Sequence, residues 1–201
     1  MPVNGSKFAH ACFISYKHPP KSASYDHFYR EFVEAFRERL DYYLATEIRV
    51  YLDLDADPGS SYPAELSQNL CKSVCMIAVM VPEYRESSWC QAEWEAMKKL
   101  EEQRLGPGQM GLIIPIALRR TADEWNSVLK RKPVDFSKVS VPKSQLKSAK
   151  HSEKIKAIAE IINNFVQQVT DTCVDCNTFA FPVGHEVLQS DPTFTDPNPF
   201  K

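Results

Sequence analysis

The chain has 201 residues, 43% of them hydrophobic and 25% charged, a balance that buries a sizeable core and fits one domain with an appendage better than two full domains. Its 24 basic and 26 acidic side chains leave a formal net charge of -2, which argues against binding nucleic acid by bulk electrostatics but permits a local basic pocket for a small anion. The first seven residues hold no apolar stretch, and no apolar run approaches the ~18 residues that span a bilayer, so neither secretion nor membrane insertion is expected and a cytoplasmic location is.

Ala11 to Tyr16 is a short apolar run that reads as a buried first strand. A helix follows from about 26 to 45, where Phe28, Phe32, Phe36, Leu40 and Leu44 recur every four residues and Arg30, Glu34, Arg37 and Glu38 take the other face. Ile48 to Leu52 predicts a second strand, ending at the acidic stretch Asp53 to Pro63. A short helix over 64–71 leads into the eight apolar residues Val74 to Val81, which suit a central strand covered on both faces.

The next helix runs from Trp89 to about Arg104, with Ser88 and Gln91 as its capping box and Gly106-Pro107-Gly108 as its stop. Leu112 to Ile116 supplies a fourth strand, although Pro115 fits an edge better than a sheet interior. A short strand near 134–136 and a helix carrying Ile155, Ile158, Ile162, Phe165 and Val169 complete the pattern. Strands alternating with helices mean an α/β fold, a parallel sheet of about five strands with helices on both faces. The domain is expected over 7–170 and a C-terminal tail or linker over 171–201, where the helical period is lost; whether the tail packs on the domain or leads to another stays open.

Six cysteines without a secretion signal (Cys12, Cys71, Cys75, Cys90, Cys173 and Cys176) read as reduced thiols. Cys173 and Cys176 form a lone C-x-x-C with His185 as the one nearby imidazole, too few ligands for zinc, so no metal is expected and the role of the pair stays open.

Ligands of open parallel sheets gather outside the carboxyl ends of the strands. The first such loop holds Tyr16, Lys17 and Lys21, which either grip phosphates and stack a ring or form a solvated loop. The second, Asp53 to Gly59, begins like a calcium loop, but Pro58 replaces the required glycine and Glu65 comes one step late, leaving a lid or an interaction surface. On the helix after the third strand, Trp89, Cys90, Glu93, Trp94, Ala96, Met97 and Leu100 share one face, while Glu95, Lys98, Lys99 and Glu102 fall elsewhere. A carboxylate in an apolar stripe needs a task or a partner: Glu93 either does chemistry or bonds to a backbone amide or Arg85.

Phe13-Ile14-Ser15-Tyr16, Asp55-Ala56-Asp57-Pro58-Gly59 and the run from Tyr84 to Glu93, in that order, resemble the motifs of Toll/interleukin-1 receptor (TIR) domains over roughly 7–170. The chain departs from the animal signalling type in carrying Leu54 where arginine is usual and in lacking a Phe-Trp third box, and so leans toward the bacterial enzymatic branch. The resemblance implies a flavodoxin-like sheet and NAD as substrate, with no resident cofactor. Its implied catalytic residue is Glu93, four residues after Trp89. Strand-end position and resemblance together make Ser15, Tyr16, Lys17, Asp53 and Trp89 the expected substrate contacts. The resemblance also implies self-association through a loop containing Asp55, Asp57, Pro58 and Gly59, with a further sensor domain or partner protein possible. A non-catalytic TIR interaction module is the competing expectation. A phosphorylated receiver domain fits poorly, because Ser15-Tyr16 stand where that fold needs acids.

Overall fold

The computed structural model describes residues 8–17, 25–45, 47–52, 62–119, 131–169 and 175–181. Among them, five strands form one sheet: β1 (His10–Tyr16), β2 (Arg49–Leu52), β3 (Ser73–Met80), β4 (Ile113–Ala117) and β5 (Val134–Asp135). Their order is β2-β1-β3-β4-β5 and every pairing is parallel. All eight residues of β3 are buried, as the unbroken apolar run requires of a strand flanked by neighbours and covered on both faces.

Helices α1 (Tyr25–Tyr43), α2 (Tyr62–Cys71), α3 (Ser88–Leu105), α4 (Pro142–Gln145) and α5 (Ala149–Gln168) are joined by a 3₁₀ turn at Pro82–Glu86. The four-residue period of α1 is realised: Phe32, Phe36 and Leu40 are fully buried, and Phe36 meets Phe136 edge-on at 5.7 Å. Helices α4 and α5 pack with α1, and α2 packs with α3. Right-handed crossovers put the two groups on opposite faces, because the chain steps one way from β1 to β2 and the other way from β2 to β3.

Pro115 sits inside β4, yet the sheet loses no hydrogen bond there. Leu112 and Leu118 bond to β3 and Ala117 bonds to Phe136, so odd-numbered residues of β4 face β5. Pairing with β5 begins only at Ile116, and the missing N–H of Pro115 points past its end.

Helix α3 stops at Gly106, whose φ of 97° lies in the region that favours glycine. Its start differs from the expected capping box. Ser87, not Ser88, is the N-cap and accepts from the Cys90 amide, while the Gln91 side chain donates to the Arg85 carbonyl. The third helical position is then Cys90, which has no carboxamide to close a box.

The expectation that charge avoids the buried face of α3 is also corrected: Glu101 and Arg104 are buried with Glu93. Glu101 accepts from both Arg131 guanidinium nitrogens, at 3.0 and 2.5 Å, and from the Gly111 and Leu112 amides at 2.5 and 2.8 Å. Arg104 donates to the carbonyls of Cys71, Ser73 and Val74 at 2.5, 2.7 and 3.2 Å, tying the end of α2 to the start of β3.

Two cysteines depart from the reduced-thiol expectation. Cys71 and Cys176 are disulfide-bonded across 105 residues, whereas Cys12, Cys75 and Cys90 are buried free thiols. No local spacing signals such a pairing, because it requires residues 175–181 to fold back against the domain. Cys176, Phe179 and Phe181 all pack on the core. Cys173 and His185 lie outside the described residues.

Burial alone would raise the Glu101 carboxyl, but Arg131 and the two amides outweigh it and hold its pKa below the ordinary value. A depressed carboxylate contributes stability above its unfolded pKa and loses it as pH falls through the folded one. Replacing Glu101 by Ala should therefore destabilise the fold by about 3–5 kcal/mol at neutral pH, because Arg131 is left buried without its partner. Urea titrations at neutral pH and at pH 3 check this, with the difference between wild type and Glu101→Ala shrinking at the lower pH.

Candidate functional site

In a sheet of order 2-1-3-4-5 the chain leaves β1 and β3 in opposite directions, so a crevice opens at their carboxyl ends. Ser15 lies at that end of β1, in register with Ala78 of β3. The turn after β3 carries Tyr84, and α3 begins immediately afterwards and brings Glu93 back over β1 in its second turn.

These three side chains meet. Ser15 Oγ donates to Glu93 Oε2 at 2.5 Å, and Tyr84 Oη lies 2.6 Å from Ser15 Oγ. Direction follows from proton count: the one Ser15 hydroxyl proton goes to Glu93 Oε2, so Ser15 accepts from Tyr84. Burial, with Cys90 and Glu93 close by, pushes the Tyr84 phenol well above its ordinary pKa, which keeps it a donor at neutral pH. A polarised chain Tyr84 to Ser15 to Glu93 results, all of it buried, with Glu93 6% exposed.

Of the expected contacts, Ser15, Trp89 and Glu93 are brought to one place. Trp89 is the second residue of α3, one turn before Glu93, and is 7% exposed, with Phe181 edge-on at 6.2 Å. Ser15 reaches Glu93 directly, a role beyond the substrate contact expected of it. Tyr16 follows Ser15 on the strand, so alternation turns its buried ring to the opposite face of the sheet from Glu93. Lys17 is half-buried just past the strand. Asp53, Asp55, Asp57, Pro58 and Gly59 lie outside the described residues.

Glu93 meets a side-chain hydroxyl, a partner not considered from sequence, and Arg85 is exposed. Tyr84 was not singled out as a site residue. Its signal was faint, since an aromatic in a turn gives no hint that it folds onto a strand 69 residues earlier. Arg119, just past β4 and 3.7 Å from Glu83, is a further cation at this end of the sheet that the sequence did not single out.

Chemically, the arrangement is a preorganised carboxylate in a low-dielectric crevice with an aromatic beside it, fit to stabilise positive charge developing on a bound ligand. Among the described residues no group of three His, Cys, Asp or Glu side chains is placed to hold a metal ion. No helix of the described residues is long and apolar enough to cross a membrane.

No curated protein matches the sequence. A family profile described as TIR domain matches residues 13–150, which take in the second half of β1, the turn with Tyr84, α3 and the other four strands. That match covers more than half of the chain, and with the five-stranded parallel sheet it shows that the chain belongs to the TIR domain family.

Proposed function

We propose that this TIR domain is an NAD nucleosidase, with Glu93 as its catalytic residue. The observation that carries the reading is a carboxylate held inside the β1/β3 crevice with one oxygen fixed by a serine hydroxyl. In NAD the nicotinamide ring is already positively charged. When the bond between its nitrogen and ribose C1′ breaks, the bonding pair leaves with the ring, which becomes neutral and needs no general acid. The cation left on the ribose is the species a nearby carboxylate stabilises. Capture by water gives ADP-ribose and one proton; capture by the adenine of the same molecule gives a cyclised product.

Trp89 supports the reading as a ring one helical turn from the carboxylate, and Lys17 as a cation at the end of β1. TIR domains commonly self-associate, and the proposal includes assembly, with the acidic loop after β2 of one chain completing the pocket of its neighbour. Control of NAD in a bacterial defence pathway in the cytoplasm is the setting this chemistry fits.

Purified protein incubated with NAD, followed by separation of products, tests the reading. Nicotinamide and an ADP-ribose species should appear in equal amounts, with turnover per chain rising over an about hundredfold increase in concentration if assembly completes the site. Glu93→Ala should lower kcat by about a thousandfold or more with an unchanged circular dichroism spectrum. Absence of cleavage by the folded wild type at high concentration would favour the non-catalytic interaction module.

The hydroxyl chain gives a graded expectation. Ser15→Ala removes a hydrogen bond to a charged group, about 1.5–3 kcal/mol, so kcat should fall about ten- to a hundredfold with KM little changed. Tyr84→Phe acts only through Ser15 and should cost less, about tenfold or under, and the double variant should be no worse than Ser15→Ala alone. Additive losses, or an effect on KM alone, would remove Tyr84 and Ser15 as positioning residues.

A further inference from the structure

The disulfide and the segment it anchors form a device of their own. Helix α2 runs from the carboxyl end of the sheet to the amino end, where Cys71 is its last residue, fully buried and with its carbonyl held by Arg104. Asp175 folds the start of the segment into a tight turn, its carboxylate accepting from the Asn177 amide at 3.1 Å and the Thr178 hydroxyl at 3.1 Å. From Cys176 the segment then climbs α2 in the opposite direction to the helix. Ser67, one turn before Cys71, shares its hydroxyl proton between the Ala64 carbonyl at 2.9 Å and the Phe179 carbonyl at 3.2 Å. Phe179 and Phe181 alternate with exposed Ala180 and pack inward. The climb ends at the site, where the Phe181 ring stands edge-on to Trp89.

We propose that residues 175–181 are a strap latched by the Cys71–Cys176 disulfide, which under oxidising conditions keeps Phe181 on Trp89 and restricts access to the crevice, and which the dithiols of a reducing cytoplasm release. The inference rests on the reading of Trp89 and Glu93 as the substrate site. Five chain steps lead from Cys176 to Phe181, so the covalent anchor keeps the Phe181 Cα within about 17 Å of the Cys176 Cα even when the strap lifts, a high effective concentration that favours return. Once the bond is broken, the contacts that hold the strap among the described residues are two half-buried rings and a few hydrogen bonds. Cys176 is half-buried whereas Cys71 is fully buried, so attack comes at Cys176. A thiolate of the dithiol attacks it, Cys71 leaves as thiolate and takes up a proton, and the second thiol of the reductant displaces Cys176. The reductant ends as a disulfide and the protein as two thiols.

Cys176 is paired with Cys71, so the C-x-x-C at 173 and 176 is not an available pair of ligands. The alternation Phe179-Ala180-Phe181 reads as a short extended segment packed through one side.

The test uses the full chain prepared oxidised and after dithiothreitol. Peptide mapping should find Cys71 linked to Cys176 in the oxidised protein; free thiols there, or Cys173 as the partner, would overturn the latch. Brief chymotrypsin treatment should cut after Phe179 only in the reduced protein, and equal cutting in both states would overturn it as well. For NAD cleavage, reduction should raise kcat/KM by about threefold or more, and Phe181→Ala should do the same without reductant. An unchanged or lowered kcat/KM in an active enzyme would contradict a gate. If neither state cleaves NAD while proteolysis still depends on reduction, the enzymatic reading fails and the latched strap stands.

Discussion

A hydroxyl at the end of β1 reaching 2.5 Å to a carboxylate on α3 joins two elements 78 residues apart, and much of the architecture serves to make that distance possible. β1 lies in the sheet interior between β2 and β3, so its position is set on both sides. Slipping its register with β3 by one residue would put Tyr16 where Ser15 stands and turn the hydroxyl to the other face. Ser87 fixes the first turn of α3, and with it the rotation that aims Glu93 inward. The chemistry proposed for the crevice depends on this alignment more than on any single loop.

Helix α3 buries two carboxylates, and comparing them shows what burial alone does not establish. Glu101 faces the amino end of the sheet, where Arg131 and two amides engage it: a structural ion pair that closes the start of β4. Glu93, two turns earlier, faces the carboxyl end, at the crevice where parallel sheets take ligands, and is met there by a serine and tyrosine chain. A buried acid in an apolar stripe is therefore weak evidence by itself. Its end of the sheet, and the kind of group that satisfies it, separate the two cases.

The fold was legible because apolar periodicity reports burial directly: the unbroken run of β3, the four-residue repeat of α1 and the alternation of strands and helices all reappear. Glu93 was legible for the same reason, as the carboxylate in a stripe. What escaped was nonlocal. Tyr84 reaching Ser15, Glu101 reaching Arg131 and Cys71 reaching Cys176 join residues that no local pattern connects. Pro115 looked misplaced until the short β5 showed that its side of β4 is unpaired at that residue. The shifted cap at Ser87 has a simpler cause: two adjacent serines offer the same chemistry, and only the geometry of the preceding turn chooses between them.

The strap and the crevice bear on one ring. Trp89 is packed from within by the core and from outside by Phe181, so under the proposed strap this form is the closed one and opening it precedes binding. The central claim is narrower: that a lone carboxylate suffices because the leaving ring carries its own positive charge. Nicotinamide release from NAD compared with release of the reduced ring from NADH, under identical conditions with reductant present, tests this most directly. The account predicts cleavage of NAD and none of NADH, whose ring is neutral and would need a proton to leave. Equal cleavage of both, or of neither, would contradict it.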